Sequence, residues 1–436
     1  MAVVGAGIAG LTAAYRLQER GFVVTVLESS RCPGGRMTET VVNGIRFNTG
    51  ARLIYSFSPT ILRLVDDLGL KGCLRPGVTP PLFVHSQDEV FPAKINPGLE
   101  LMLSPRLTVA ERARWLGLAF SLLRRRFCLD PESLLAAEKF DHHTLENYLA
   151  QKGLARFSSL YIEPFFRGAR CWRTSDVSSA FFVVLAAHMA GSTAYGLRGG
   201  IGSLSEKLAQ ELDMKYGARV QKITQDGKNN KNRICYFQKG ARHELFSDLV
   251  VCAVPGAYLP EIVQAPSVEE SQWFNSIRYG SGGVVHYASP KRVRPSVQFF
   301  DAQVNPMISA IEYSAQHQVK SEYPAKVSVF LSPEGVDEVK RTQCEEQLAE
   351  FLAAELPSEL QYLDSSQTPI VNQWMEHMLP VFYPGYLRAL ERYDKIQRQG
   401  RRQIYYCGDF MTNALVSGAC RSGQDVSETI SRHWTS

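Results

Sequence analysis

Apolar and polar positions fall into blocks of two distinct periods along this chain. Ala2, Val3 and Val4 form a short apolar run that stops at Gly5, which predicts a buried strand. In LTAAYRLQERG the apolar positions Leu11, Ala14 and Leu17 recur every three residues, predicting a helix that Gly21 ends. FVVTVLE is a second apolar run, closing at Glu28, so the chain opens as strand, helix, strand. VVNGIRFNTGARLI predicts two short extended runs about a turn at Asn43 and Gly44, and Ser58 to Gly69 reads as helix. Thr108 and Glu111 make a capping box for LTVAERARWLGLAFSLLRRRF. Further helices fit residues 141–152 and TSDVSSAFFVVLAAHMAG.

The texture changes near Gly199. RGGIGSLSEKLAQEL is a glycine loop opening a helix, GARVQKITQ and RICYFQK read as strands joined by the polar turn DGKNNKN, and SDLVVCAVPG is a buried strand ending at Pro255. From about 275 to 375 strands alternate with one helix, CEEQLAEFLAAEL. QIYYCGDF then predicts a strand ending at Gly408 and Asp409, followed by a loop and a closing helix in NALVSGACRSGQDVSETISRHW. No internal repeat or low-complexity tract interrupts this order.

The glycines at 5, 7 and 10 stand between the first strand and the first helix. In that context Gly5 gives the turn, Gly7 lets a phosphate approach the backbone, and Gly10 lets the helix pack on the strand, while the bare amides of the helix face a pyrophosphate. Glu28, eighteen residues beyond Gly10, is placed to accept hydrogen bonds from a ribose, and an acid there disfavours the 2′-phosphate of NADP. A generic nicotinamide dehydrogenase does not explain the stretch from SSRCPGGRMTE to VVNGIRFNTGARLI. Arg36, beside Gly34 and Gly35, can reach a pyrophosphate, and Gly50 with Ala51 offers a backbone poor in side chains against which a flat ring could lie. The combination suggests a long, extended cofactor.

Size and charge bound the rest. A chain of 436 residues, 45% hydrophobic and 21% charged, suits a globular protein of two or three domains. A net charge of +5 is mild for this length and carries no nucleic-acid signature. The nine cysteines form no CxxC pair and read as reduced thiols of a cytoplasmic protein. The nine histidines, including His142 and His143, have no metal-ligand spacing, so no metal is expected. Neither a secretory leader nor a spanning segment is expected. The helix that ends in Arg124, Arg125 and Arg126 is surrounded by apolar residues over much of its girth. It reads as a packed helix with a solvated basic end, with peripheral membrane contact as the competing reading.

Six ordered blocks, VVGAGIAGLTAAYRL…VTVLE, GGRM, NTGARL, RGGIGSLSEKLA…GARVQKI, DLVVCAVP and YYCGDF…SGACRSGQD, together resemble the FAD-dependent amine oxidase superfamily over nearly the whole chain. That superfamily includes monoamine and polyamine oxidases, protoporphyrinogen oxidases and carotenoid-type desaturases. The resemblance implies an α/β fold: a Rossmann-like FAD-binding domain of the GR2 type, discontinuous over 1–75, 196–275 and 376–436, with an inserted α+β substrate-binding domain over 76–195 and 276–375. It implies that Gly5, Gly7, Gly10 and Arg36 hold the pyrophosphate, Glu28 the adenosine ribose, and the backbone of Val220 the adenine. Gly50, Ala51 and Arg52 are then expected by the flavin ring and Asp409 by the ribityl and pyrophosphate region, with Ala9, Gly35, Gly408 and Ser417 completing the FAD groove.

The departures bear on substrate. Where many amine oxidases of the superfamily carry a water-holding lysine, the resemblance places Gly282, and one wall of their tyrosine cage aligns with Leu415. LPVFYPGYL contains no cysteine for covalent attachment, so FAD is expected to be non-covalent. Leu82 stands where plant-type protoporphyrinogen oxidases often have a propionate-binding arginine. A flavin needs the protein to hold a C–H bond near its ring and exclude water, and Arg52, Tyr55, Trp374, Tyr383, Tyr386 and Leu415 are the pocket candidates. The expected reaction is dehydrogenation of a C–N or C–C bond in a largely apolar, cyclic small molecule, with dioxygen or a quinone as acceptor. The alternatives are an amine oxidase with a rebuilt cage, a protoporphyrinogen oxidase-like enzyme, and a non-redox binding protein resembling the GDP dissociation inhibitors.

Overall fold

The computed structural model describes residues 1–77, 80–87, 89–94, 101, 104–226, 230–315, 322–363, 368–400 and 402–434. The middle of the expected turn DGKNNKN, residues 227–229, lies outside the described residues.

Five short strands from distant parts of the chain form one parallel sheet. Their spatial order is Asp213–Tyr216, Thr25–Glu28, Ala2–Val4, Val250–Cys252, Ile404–Tyr406. Ala2 lies opposite Thr25 on one side and Val250 on the other. Such central strands are covered on both faces, which is why they read as unbroken apolar runs rather than alternating ones. The strand order reverses at Ala2–Val4, and the crevice at the carboxyl ends of the strands beside such a reversal is where α/β sheets take their ligands.

The helix Ile8–Gln18 buries Leu11, Ala13, Ala14 and Leu17 and packs along the last helix, Val416–His433. Gly423 permits this closeness, since a Cβ there would overlap the carbonyl oxygen of Ala9. The two ends of the chain are thereby joined beneath the same crevice. An antiparallel meander, Arg219–Asp226, Lys231–Gln238 and Ala241–Ser247, connects two strands of the parallel sheet.

A second, seven-stranded sheet runs Ile370–Pro380, Tyr279–Ser289, Ala325–Leu331, Ile308–Ala315, Ser296–Phe300, Leu82–Ser86, Glu89–Ala93. It is antiparallel except where Ser296–Phe300 meets Leu82–Ser86. The helix Glu163–Arg170 packs on its strands Ser296–Phe300 and Ile308–Ala315, and Ser179–Met189 supplies Phe181 to an aromatic core with Trp172 and Phe382. Three of the expected domain boundaries fall inside continuous strands: 75/76 within Leu74–Pro76, 195/196 within Ala194–Leu197 and 375/376 within Ile370–Pro380.

Several expected elements differ. CEEQLAEFLAAEL is helical only over Leu348–Ala353. The stronger helix nearby is Pro333–Thr342, where the Ser332 hydroxyl caps the first turn and Pro333 fits a position that needs no N–H donor. Tyr386–Arg398 is also a helix. The capping box at Thr108 and Glu111 is present and opens the helix Val109–Arg125. No helix among the described residues is long and apolar enough to cross a membrane.

Candidate active site

The first turn after Ala2–Val4 is shaped by contacts that only glycine allows. Gly5 has φ +102°, and a Cβ there would stand 2.9 Å from the carbonyl oxygen of Ala253; a Cβ on Gly10 would overlap the oxygen of Gly5. Gly7 differs, because a Cβ there would meet nothing within 4 Å. Its Cα instead faces a continuous cavity of about 1250 Å³, larger than a typical small-ligand cleft of roughly 300–1,000 Å³.

One end of this cavity is the nucleotide-type groove, walled by Gly5, Gly7, Ala9, Glu28, Gly35 and Arg36. Glu28 is buried, and its oxygens accept the amides of Ala6 and Ser30 at 2.7 Å each. A carboxylate has about four acceptor positions, so it retains capacity for a ribose hydroxyl. Arg36 forms a two-pronged pair with Asp409 at 2.7 and 3.0 Å and also donates to the carbonyl of Met378 at 2.8 Å. Asp409 thereby raises the pKa of Arg36 further above its ordinary value. Tyr279 completes the cluster, 3.5 Å from Asp409, and burial pushes its phenol up. Ser417, on the last helix, lines the same groove with a buried hydroxyl that has no partner among the described residues. An orphaned hydroxyl, a glycine with open space above it and the amide end of a helix together fit a dinucleotide.

Gly50, Ala51 and Arg52 lead from the groove into a chamber walled by Phe165, Phe166, Phe182, Leu185, Phe330 and Leu415. Few polar groups interrupt it. Arg52 pairs with Glu312; burial pushes its guanidinium down to about 10, still well above neutral pH. His286 bonds the hydroxyl of Ser328 at 2.8 Å. Burial and the neighbouring Arg52 push it down to about 4, so it is neutral near pH 7 and offers hydrogen bonds rather than charge. Gly282 also lines the chamber, and Met378 fills the space a side chain at that position would take. At the far end, Trp115, Leu116, Ala119, Phe120, Leu122 and Leu123 of the helix Val109–Arg125 form the wall. Phe120 is 63% exposed and Phe127, just beyond the helix, 91%.

The structure brings together most of the expected site. Gly5, Gly7, Ala9, Glu28, Gly35, Arg36, Gly50, Ala51, Arg52, Gly408, Asp409, Leu415 and Ser417 all reach the cavity wall, as does Tyr55. Gly10 acts behind it, through packing. Three expectations are corrected. Tyr386 is fully buried and donates to the carbonyl of Phe410, Tyr383 donates to the carbonyl of Ser276, and Trp374 donates to Glu376. None of the three reaches the cavity wall; they hold the packing behind it. Val220 pairs with Tyr236 in the meander, whose first strand starts beside Glu28 through the Ala218 amide, and is not among the residues of the cavity wall. Leu82 is buried in the seven-stranded sheet and also stands off the wall. Glu312, His286, Gln373 and Arg170 line the chamber and were not anticipated. Glu312 carried a faint signal, being the one acid within the otherwise apolar and small ISAIEYSA.

A long groove at a strand-order reversal, continuous with an apolar chamber, defines the class of dinucleotide-binding α/β proteins. The family model "flavin containing amine oxidoreductase" matches residues 8–431, and the chain belongs to that family. Its cofactor is FAD. The chain is 27% identical over 333 residues to the zeta-carotene-forming phytoene desaturase of Myxococcus xanthus, covering 68% of this chain and 61% of that protein. It is 44% identical over 71 residues to protoporphyrinogen oxidase 2 of Arabidopsis thaliana, covering 16% and 14%. The matches thus span less than two thirds of these curated relatives. In fold it is similar to a putrescine oxidase solved with putrescine bound, with TM-score 0.74 and 19% identity, covering 99% of this chain and 98% of that one.

Proposed function

We propose that this chain is an FAD-dependent oxidase or dehydrogenase that takes a hydride equivalent from a C–N or C–C bond of a largely apolar, cyclic small molecule. The observation that carries this reading is the continuity of the groove with the apolar chamber in one cavity. FAD, when bound, supplies the hydride acceptor, and dioxygen or a quinone restores it. The chain's own residues have other tasks. The amides after Gly5 and Gly7 hold the pyrophosphate, Glu28 the ribose, and Arg36 with Asp409 the middle of the cofactor. Gly50 and Ala51 leave room for a flat ring, while Phe165, Phe166, Phe182 and Leu415 hold a C–H bond nearby and exclude water.

The test is anaerobic addition of candidate substrates to the purified yellow protein. Bleaching of the flavin bands by an apolar cyclic compound supports the reading, and a protein that holds FAD but is reduced by none of a broad panel contradicts it. Peroxide release with primary, secondary and cyclic amines identifies C–N oxidation; desaturated product without any reaction of amines identifies C–C oxidation.

The exposed rim supports a peripheral contact between this otherwise cytoplasmic enzyme and an anionic membrane surface. Leu116, Phe120 and Leu123 are exposed where they border the cavity, with Phe127 and the basic run Arg124 to Arg126 beside them. Apolar residues at the mouth flanked by arginines match an interfacial helix. Co-sedimentation with vesicles containing phosphatidylserine, lost in the F120S/F127S variant, is the expected result; equal sedimentation of parent and variant contradicts it.

A further inference from the structure

Among the described residues three charged arginines line the cavity wall, and they are not alike. Arg36 is paired with Asp409 and Arg52 with Glu312. Arg170, at the end of the helix Glu163–Arg170, has no hydrogen bond and no ion pair among the described residues, and its Nε is buried without a partner. What surrounds it is aromatic: its guanidinium lies 5.6 Å from the ring centre of Phe166 and 5.0 Å from that of Phe181. Burial lowers its pKa, yet a guanidinium stays protonated in proteins.

An unpaired cation in an apolar chamber is unfavourable unless something compensates it. Two aromatic faces and the carbonyl end of its own helix offset part of that cost, but neither satisfies the planar donor fork. The group that does so is an oxyanion. Arg170 and Tyr55 line the same chamber, and Tyr55 comes three residues after the Gly50–Arg52 stretch that fronts it. We propose that Arg170 anchors an anionic oxygen group, a carboxylate or a phosphate, at one end of an otherwise apolar substrate, so that its greasy body lies along the chamber. This assignment rests on the oxidoreductase reading above and adds a charge requirement to it. A positively charged amine would instead meet like charge at this end of the chamber.

The probes are 4-cyclohexylbutanoate, 4-cyclohexylbutyl phosphate, methyl 4-cyclohexylbutanoate and 4-cyclohexylbutylamine, each titrated by calorimetry below its aggregation concentration into the FAD-bound protein. One or both anions are expected to bind at least tenfold more tightly than the ester and the amine, and the better anion identifies the oxygen group. R170Q is expected to abolish that preference and R170K to keep only part of it, since lysine retains the charge but not the planar fork. Equal affinity for acid, ester and amine overturns the assignment, as does failure of both anions to bind, or an R170Q protein with undiminished preference. The comparison among probes on the parent protein stands even if a variant fails to fold. FAD content is measured on the same samples. Full FAD with no preference for anions refutes the anchor alone, whereas absence of FAD refutes the oxidoreductase reading.

Discussion

Gly7 caps the helix Ile8–Gln18 and Gly10 lies in its first turn, and the structure assigns them opposite kinds of sensitivity. At Gly7 the backbone has φ −70° and ψ 170°, ordinary for alanine, and a Cβ meets nothing within 4 Å. Replacing glycine by alanine at such a site gains about 0.4–1 kcal/mol from the unfolded chain, set against a similar preference for glycine at the helix N-cap. G7A should therefore leave the stability of the FAD-free protein within about 1 kcal/mol of the parent. The new methyl group stands where the pyrophosphate must approach. Losing one hydrogen bond to a charged group costs about 1.5–3 kcal/mol, or roughly 10- to 150-fold in FAD affinity. At Gly10 the methyl group would instead overlap the oxygen of Gly5 and lie 2.9 Å from the Cβ of Ala253. G10A should destabilise the FAD-free protein by about 1–3 kcal/mol through forced separation of helix and strand. Urea unfolding of FAD-free protein measures the change in stability, and flavin fluorescence quenching measures the change in affinity. A G7A protein that binds FAD as tightly as the parent, or a G10A protein as stable as the parent, refutes the assignment of these two roles.

Particular side chains carry the other expected outcomes. Glu132 is buried against Thr60, and burial pushes its carboxyl from 4.5 up to about 7. The folded protein therefore holds a proton that the unfolded chain has released between those values, so this contribution is complete below 4.5 and is lost as pH rises through 7. E132Q should remove up to about 3 kcal/mol of that decline, read as a flatter stability curve between pH 5 and 8 in urea titrations. R36M leaves the carboxylate of Asp409 without its partner and should lower stability by up to about 3 kcal/mol as well as weaken FAD binding, both visible in thermal melts with and without FAD. Y383F, which removes only a hydroxyl bonded to the carbonyl of Ser276, should change flavin reduction rates less than twofold once a substrate is found. A larger effect in stopped-flow traces would return Tyr383 to the reaction chamber.

The sequence made the cofactor groove legible because its determinants are local. Gly5, Gly7 and Gly10 act within one turn and Glu28 closes the next strand, so spacing carries the nucleotide end of the groove, whereas the roles of Gly408 and Asp409 and the choice of FAD come from the resemblance of the six ordered blocks. The chamber is different, since a residue's position on its wall depends on how two sheets and several helices meet. Trp374, Tyr383 and Tyr386 have the residue types of a pocket, but their polar atoms satisfy Glu376 and two backbone carbonyls behind it. Arg170 and Glu312 carry charge into the chamber from a helix end and a strand interior, positions that no local pattern marks as facing the same space. The helix Pro333–Thr342 was readable from Ser332, Pro333 and Glu334, whereas the leucine-rich stretch 344–356 owes its apolar residues to packing under the second sheet rather than to a long helix.

The most direct test of the account is the flavin content of the gently purified protein. Acid precipitation and analysis of the supernatant should recover about one FAD per chain, released without proteolysis because no covalent bond holds it. A colourless protein that also fails to take up added FAD would contradict the assignment of this groove, and flavin that stays with the precipitate would contradict its non-covalent hold.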